Sequence, residues 1–466
     1  MFKGVSAKFG ERIAIIDSSG TKVTYSDLEE FSVQLKSLIP KGSLIFSLCS
    51  NSIESLKGYF SFIRNGVTPV MLDASLDKDL LSRLISTYSP KYIWLPKERI
   101  VNFDDVRVLF SYGDYVLIKR TCENTYELHN DLALLLTTSG STGSPKLVKI
   151  TLKNLKSNAH SIAEYLSIDK NERPITTLPM NYSFGLSIIN SHILKGATIL
   201  LTSKSLMERG FWTFLKEQKA TSISGVPYTF EILKKLRFFR SDAPSLKTIT
   251  QAGGKLNHEL NKEVLEYSIR FDKSFFVMYG QTEATARMSY LPPEFSLAKL
   301  GSIGIAIPGG EFSIMDDSSR SITGDEIVGE LVYEGSNVSM GYASCGEDLN
   351  KADANNGVLF TGDLAKRDKD DYYYIVGRKK RFIKIYGNRV NLDETERLLK
   401  DIISDCACIG EEDHMCIFIT DENRIDEIKK FISSKMGLHH STFIIKSIDE
   451  IPKNSSGKTI YSSLNI

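Results

Sequence analysis

Short apolar runs alternate with amphipathic stretches through the first part of the chain. Runs at 44–49, 67–72 and 92–95 are bounded by stretches with helical periodicity. Similar runs recur at 132–136, 197–201, 222–224, 248–251 and 275–278. Because strand–helix–strand units build parallel sheets with helices on both faces, this alternation predicts an α/β fold with mostly parallel, doubly wound sheets.

The pattern changes near residue 300. Closely spaced glycines separate short alternating runs such as 312–315 and 329–333, which predicts a smaller antiparallel β unit at about 301–376. A cationic stretch at 378–384 follows, and helical periodicity returns beyond it, near 391–403 and 427–435. We therefore expect a multidomain chain that ends in a small α+β domain.

Composition limits the classes of function. The chain has 466 residues, with 58 Lys and Arg, 57 Asp and Glu and a net charge of +1. This balance argues against a protein that coats nucleic acid, because such proteins neutralise many phosphates with Lys and Arg. The six cysteines are too few for a disulfide scaffold, and the N-terminus lacks the apolar core of a signal peptide. The longest charge-free stretch, 174–194, contains prolines, asparagines and a histidine, so we expect a cytoplasmic protein without a membrane span.

A loop rich in glycine and hydroxyl side chains follows the apolar run at 132–136. Its backbone N–H and side-chain O–H groups can converge on a polyphosphate, and glycine permits the close approach. The phosphate-binding residues that we predict are Thr138, Ser139, Gly140, Ser141, Thr142, Gly143 and Lys146. The loop is not a Walker loop, because Lys146 stands three residues after Gly143 and follows a proline. The alternative interpretation is a flexible linker.

This loop and four further motifs resemble, in the same order, those of the adenylate-forming superfamily of acyl-CoA synthetases, peptide-synthetase adenylation domains and luciferases. The motifs are 138–146, 279–283 (Y-G-Q-T-E), 329–330 with 341–342, 361–363 with 377–378 and 383–384, and 452–458. The resemblance covers nearly the whole chain. It implies a large AMP-binding domain at 1–379 and a small lid domain at 381–466, with a hinge at Lys380.

The resemblance also implies an ATP site. Besides the phosphate loop, the nucleotide-binding residues that it implies are Gly253, Gly254, Tyr279, Gly280, Gln281, Asp363 and Arg378. Aromatic and glycine surfaces suit a planar base, and the carboxylate of Asp363 can accept hydrogen bonds from both ribose hydroxyls.

Three further residues are implied to act on the reacting groups. Thr282 would bind a phosphate oxygen, and Glu283 would hold Mg²⁺, a hard cation that prefers oxygen ligands. Lys458 would meet the α-phosphate and the attacking carboxylate, where a fixed cation lowers the barrier as negative charge builds. The implied reaction forms acyl-AMP and pyrophosphate from ATP and a small carboxylic acid. The acyl group then passes to the thiol of CoA or of a phosphopantetheinyl acyl carrier protein.

The segment 178–187 corresponds to the stretch that borders the acyl pocket in the superfamily. We therefore expect Tyr182, Phe184 and Gly185 to line the pocket for the acid. Amino-acid-activating relatives place an Asp where this chain has Gly185. A buried ammonium without an anionic partner is costly, so we expect an acid without an α-amino group, such as a fatty, hydroxy or aryl acid.

Other interpretations remain open at this stage. The enzyme could be an amino-acid-type carrier-protein ligase, or the chain could be a relative that binds adenylates without turnover. The cationic stretch at 378–384 could instead contact nucleic acid. Cys406, Cys408, His414 and Cys416 could ligate zinc, although their alternation is more typical of half-buried strands.

Overall fold

The structure is a computed structural model. It describes residues 1–103, 106–121, 125–137, 146–316, 318–385, 388–400, 402–411, 414–436, 439–453 and 458–465. The α-helices are α1 Val5–Phe9, α2 Tyr25–Lys36, α3 Ile53–Asn65, α4 Lys78–Tyr88, α5 Leu152–Tyr165, α6 Ser183–Lys195, α7 Arg209–Glu217, α8 Pro227–Lys235, α9 His258–Arg270, α10 Leu392–Leu399 and α11 Ile425–Met436.

The strands up to the middle of the chain are β1 Ile13–Asp17, β2 Lys22–Thr24, β3 Leu44–Cys49, β4 Thr68–Asp73, β5 Tyr92–Pro96, β6 Val106–Tyr112, β7 Tyr115–Arg120, β8 Leu132–Thr137, β9 Leu147–Thr151, β10 Pro174–Ile175, β11 Ile199–Leu201, β12 Ser222–Gly225 and β13 Thr248–Gln251. The later strands are β14 Ser274–Tyr279, β15 Ser289–Tyr290, β16 Ile305–Ala306, β17 Gly310–Met315, β18 Gly329–Gly335, β19 Tyr342–Ala343, β20 Val358–Arg367, β21 Tyr373–Arg378, β22 Phe382–Ile385, β23 Asn388–Asn391, β24 Cys406–Glu411, β25 His414–Ile419 and β26 Phe443–Ser447. Each apolar run named above overlaps a strand, so those predictions are confirmed.

Two large sheets form the body of the fold. The first sheet has the order β16-β15-β14-β13-β12-β10-β11-β1-β2, and its strands from β14 to β1 are parallel. The second has the order β19-β9-β8-β4-β3-β5-β7-β6, with a parallel centre of β8, β4, β3 and β5. The expected α/β class is confirmed. Both sheets also carry antiparallel strands at their edges. In the first sheet β2 pairs with β1, and β15 pairs with β14 and β16. In the second, β6 and β7 form a hairpin and β9 pairs back on β8.

Two smaller units follow. Strands β17, β18, β20 and β21 form an antiparallel sheet. After β21, the hairpin of β22 and β23 and the sheet of β24, β25 and β26 pack with α10 and α11 around one apolar cluster. Cys406 and Cys408 lie in that cluster, whereas Cys416 lies in a second cluster on the opposite face of the sheet. The strand prediction is confirmed, but the strands are buried on both faces rather than half-buried, because apolar clusters cover both sides of the sheet.

Buried polar side chains hold the loops around the second sheet. The ammonium of Lys149 on β9 is buried and donates to the carbonyls of Asp348 and Lys351 at 3.2 and 2.8 Å. Asn154 at the start of α5 donates to the carbonyls of Ser336 and Val338 at 2.8 and 2.7 Å. These bonds fix the segment 336–351 beside β9. No helix in the described ranges has both the length and the apolar character needed to cross a lipid bilayer.

Gly304 joins the first sheet to the antiparallel sheet. It forms a β-bridge with Tyr373 and has φ +81°, and a Cβ there would lie 1.9 Å from the carbonyl oxygen of Tyr290. Gly301 has a similar φ of +86°, but a Cβ there would contact nothing within 4 Å. A substitution at Gly301 would therefore cause backbone strain alone, whereas one at Gly304 would cause backbone strain and a steric clash.

We expect Gly301→Ala to destabilise the protein by about 1–2 kcal/mol, the usual strain of a left-handed backbone. Gly304→Ala should cost about 3 kcal/mol or more, because a backbone carbonyl must also move. Thermal unfolding midpoints of the two variants test this. Equal losses would mean that Tyr290 moves aside without cost.

Candidate functional site

A buried carboxylate, that of Asp363 on β20, holds one end of the site together. The residue is 4% exposed and accepts hydrogen bonds from the Tyr279 hydroxyl and, at 2.9 Å, from the Gln281 amide. The register of β20 with β21 places Arg378 opposite, and its Nε lies 3.2 Å from Asp363 Oδ1. Burial, and then the charge of Asp363, raises the pKa of Tyr279 well above its ordinary value, so this phenol stays a neutral donor.

The loop that follows Tyr279 folds tightly on itself. A Cβ on Gly280 would lie 1.8 Å from the Ala286 carbonyl oxygen, so only glycine fits there. Thr285 and Ala286 both have positive φ, 58° and 110°, and the Thr285 hydroxyl donates to the Asn337 carbonyl at 2.7 Å. This folding positions Thr282, whose hydroxyl lies 3.2 Å from that of Ser183 at the start of α6.

The side chain of Glu283 meets a cation across an aromatic ring. The Tyr342 hydroxyl on β19 donates to Glu283 Oε1 at 2.7 Å. Lys146 Nζ lies 3.4 Å from the centre of the same ring, since β19 pairs with β9, which begins directly after Lys146. A carboxylate for a hard cation and an ammonium for a phosphate are thus adjacent, so the side chains present fit a magnesium-bound polyphosphate.

Lys458 comes from the C-terminal end of the chain and reaches the same site. Its Nζ lies 5.8 Å from the centre of the Tyr182 ring. Burial, and then the charge of Arg378, lowers the pKa of Lys458, while Glu283 and Asp363 act in the opposite direction. The fold therefore brings the predicted residues Lys458, Asp363, Glu283 and Arg378 within electrostatic reach of one another.

The predicted acyl side lies next to this group. Tyr182 precedes α6, and its hydroxyl lies 2.8 Å from where a Cβ on Gly253 would be, so Gly253 leaves room for the phenol. Phe184 is buried and meets the Tyr182 ring edge-on at 6.4 Å. A Cβ on Gly185 would lie 2.2 Å from the Pro179 carbonyl oxygen, so this glycine lets α6 pack on its neighbouring loop. A Cβ on Gly254 would meet the Pro227 ring at 3.0 Å.

Some predicted positions lie outside the described residues. These are Thr138, Ser139, Gly140, Ser141, Thr142 and Gly143 of the phosphate loop. For Lys380 the structure describes the backbone alone, in a short 3₁₀ turn, Lys379–Arg381. On one side of it Lys379 Nζ lies 2.8 Å from Glu330 of β18, and on the other Arg381 Nε lies 2.6 Å from Asp393 of α10.

Sequence reasoning missed Arg287, which is 2% exposed and lies beside the predicted acyl side. Its guanidinium lies 4.9 Å from the centre of the Phe184 ring. It donates to the Ser187 hydroxyl at 3.2 Å and to the Tyr165 hydroxyl at 3.1 Å. The sequence signal that could have identified Arg287 is its position as a charged residue within the mostly apolar segment after Y-G-Q-T-E.

The fold and the site together define a multidomain α/β enzyme whose cations and carboxylates converge in one site. Residues 2–343 match the family model of the AMP-binding enzymes, and the chain belongs to this family.

Three curated relatives match the chain almost from end to end. A probable CoA ligase of Humulus lupulus is 26% identical, over 98% of this chain and 94% of that protein. The 2-succinylbenzoate–CoA ligase of Bacillus velezensis is 26% identical, over 98% and 95%. The oxalate–CoA ligase of Arabidopsis thaliana is 25% identical, over 98% and 96%.

Solved structures share the whole fold. The o-succinylbenzoate CoA synthetase of Bacillus subtilis, in complex with its acyl-adenylate intermediate, matches with a TM-score of 0.80 and 23% identity, over 98% of this chain and 96% of that one. MatB from Rhodopseudomonas palustris, bound to ATP, matches with a TM-score of 0.79 and 19% identity, over 98% and 97%.

The lowered pKa of Lys458 predicts a pH-dependent stability. A protonated Lys458 destabilises the folded site at neutral pH, and this penalty is relieved as the pH rises through the folded pKa towards 10.5. We therefore expect Lys458→Met to raise the unfolding temperature at pH 7 by about 1–2 °C. The gain should shrink towards pH 10.

Lys453→Met is the matched control, because Lys453 Nζ lies 2.6 Å from Asp405 and its removal breaks an ion pair. That variant should show no such gain. Scanning calorimetry of the two variants over this pH range checks the prediction, and a gain for Lys458→Met that stays constant with pH would contradict it.

Proposed function

We propose that this enzyme is an AMP-forming acid–thiol ligase with CoA as the acceptor. A carboxylate oxygen of the acid attacks the α-phosphorus of ATP, and pyrophosphate leaves. The thiol then attacks the acyl carbonyl, and AMP leaves. The observation that carries the proposal is the meeting of Lys458 with Asp363 and Glu283 in one site. The CoA ligases among the relatives favour CoA over a carrier protein as the acceptor.

Each polar group then has a task that its surroundings support. Lys458 binds the oxygens of the attacking carboxylate and of the α-phosphate, whose mutual repulsion a fixed cation offsets most in the transition state. Asp363 binds the ribose hydroxyls, with Arg378 beside it, and Lys146 with the loop 138–143 binds the outer phosphates. Glu283 holds Mg²⁺, which neutralises phosphate charge when bound, and Thr282 donates to a phosphate oxygen.

The remaining predicted nucleotide-binding residues let the base lie close to the backbone. Tyr279, Gly280 and Gln281 form one wall for the base, and Gly253 and Gly254 form the turn opposite. Because Gly253 has φ +82° and abuts the Tyr182 hydroxyl, a larger residue there would close the path between base and acid. Tyr182, Phe184 and Gly185 border the acid itself.

The second half-reaction needs a different arrangement of the two ends of the chain. We place a large domain at 1–379, a small lid domain at 381–466 and a hinge at Lys380. The ion pairs support this division, since Lys379 contacts Glu330 before the turn and Arg381 contacts Asp393 after it. A turn held on each side can change its backbone angles while both ends stay anchored. The cysteine usage of the sequence is consistent with the cytoplasm.

The test of the activity is pyrophosphate–ATP exchange with a panel of fatty, hydroxy, aryl and dicarboxylic acids. We expect exchange with at least one acid, and then acyl-CoA when CoA is added. Tight ATP binding without exchange for any acid would instead indicate a non-catalytic relative. Thioester formation on a carrier protein alone would contradict CoA as the acceptor.

Removal of Lys458 should separate the two half-reactions. Lys458→Ala should lower the rate of acyl-AMP formation by about 10²–10³-fold, the usual effect of losing one transition-state contact to developing charge. Thioester formation from supplied acyl-AMP should stay within a few-fold of the wild type, because Lys458 acts in the first step. Single-turnover assays of each step measure this.

Lys453→Ala again serves as the control and should leave both steps unchanged. Equal loss of both steps in Lys458→Ala would overturn the assignment.

A further inference from the structure

The guanidinium of Arg287 has fewer hydrogen-bond partners than donors among the described residues. Arginine carries five N–H donors and stays charged. Three contacts use Nε and Nη1, namely the Ser187 hydroxyl at 3.2 Å, the Tyr165 hydroxyl at 3.1 Å and the Met278 sulfur at 3.2 Å. In the described part of the chain, Nη2 has no partner and no carboxylate pairs with the group.

Burial raises the free-energy cost of the missing hydrogen-bond partners of Arg287. Arg287 is 2% exposed, and a buried charge that lacks a counter-charge is strongly unfavourable. The neighbouring His192 does not add charge, because burial, and then Arg287 itself, lowers the pKa of His192 to about 4. Two bonds to the Arg287 carbonyl, from Asn158 at 2.8 Å and Asn337 at 3.1 Å, hold its backbone in place. The cation is therefore held in a fixed position, with the two N–H groups of Nη2 left for a ligand.

The aromatic rings of Tyr182 and Phe184 lie between Lys458 and Arg287. Lys458 Nζ lies 5.8 Å from the Tyr182 ring, which meets the Phe184 ring at 6.4 Å. The Arg287 guanidinium lies 4.9 Å from the far ring, that of Phe184. If one carboxylate of a substrate reacts beside Lys458, its carbon skeleton would cover the two rings and end at Arg287.

We infer that the acid activated by this enzyme carries a second carboxylate, which binds the guanidinium of Arg287. This inference rests on the proposed function and names its substrate class as dicarboxylic acids. A carboxylate can accept from the two N–H groups of Nη2, and this charge-assisted contact supplies both a counter-charge and the hydrogen-bond partners. An acid with only an alkyl end would instead leave the cation desolvated and unpaired.

The experiment compares dicarboxylic acids with monocarboxylic acids of equal length by pyrophosphate–ATP exchange. Suitable pairs are glutarate with pentanoate, adipate with hexanoate, pimelate with heptanoate, and homophthalate with phenylacetate. For the preferred pair we expect the wild type to show a kcat/KM at least about 30-fold higher for the diacid. In Arg287→Met this ratio should fall below about 3-fold, mainly through KM, and Arg287→Lys should restore part of it.

Arg173→Met is the matched control. Arg173 is a half-buried arginine whose side chain donates to the backbone and side-chain oxygens of Gln218, at 2.6 and 3.1 Å, away from the acyl-side residues named above. This variant should keep the wild-type ratio. The wild-type ratio by itself decides the question if Arg287→Met does not fold.

Calorimetry of adipate binding with α,β-methylene ATP present separates this inference from the proposed function. The inference is overturned if the wild type prefers monocarboxylic acids in the exchange assay, or if Arg287→Met keeps the wild-type ratio of diacid to monoacid kcat/KM. Either result leaves the proposed ligase activity unaffected. Diacid binding that is lost in Arg287→Met, without exchange for any acid, supports the inference and overturns the activity. Neither binding nor exchange overturns both.

Discussion

The carboxylate of Asp363 is the contact on which the site depends. A buried carboxylate is tolerated only where donors surround it, and here the donors come from separate elements. Tyr279 and Gln281 bring the end of β14, and Arg378 brings the end of β21. The contacts of the Asp363 carboxylate therefore join the first large sheet to the antiparallel sheet, next to the start of the C-terminal region.

The cations around that centre differ in how their charge is balanced. Lys458 is half-buried and faces both Asp363 and Glu283, so its charge has nearby compensation within the protein. Arg287 contacts two hydroxyls, a sulfur and the Phe184 ring within the described part of the chain. In a site that binds anions, the substrate can supply the counter-charge for such cations. The binding energy then depends on particular anionic groups of the ligand.

Much of this could be predicted from the sequence, for identifiable reasons. The strands β3, β13 and β14 follow from short apolar runs between helical stretches, and the motifs containing Glu283, Asp363 and Lys458 carry their chemistry in consecutive residues. The antiparallel edges of the two large sheets could not be predicted, because a run of apolar residues does not specify its neighbour. The Tyr342 hydroxyl on Glu283 joins residues 59 positions apart, which no local pattern encodes.

By itself, the sequence determined which elements form and which reactive groups the chain carries, because periodicity, glycine and proline positions and side-chain chemistry are local properties. Only the tertiary structure decided what each group faces. Tyr279 became a neutral donor and Lys458 acquired a lowered pKa through burial and through neighbours distant in the sequence. Arg287 became buried beside Phe184 in the same way. Burial and long-range contacts set electrostatic free energies, and neither is encoded in any single segment of the chain.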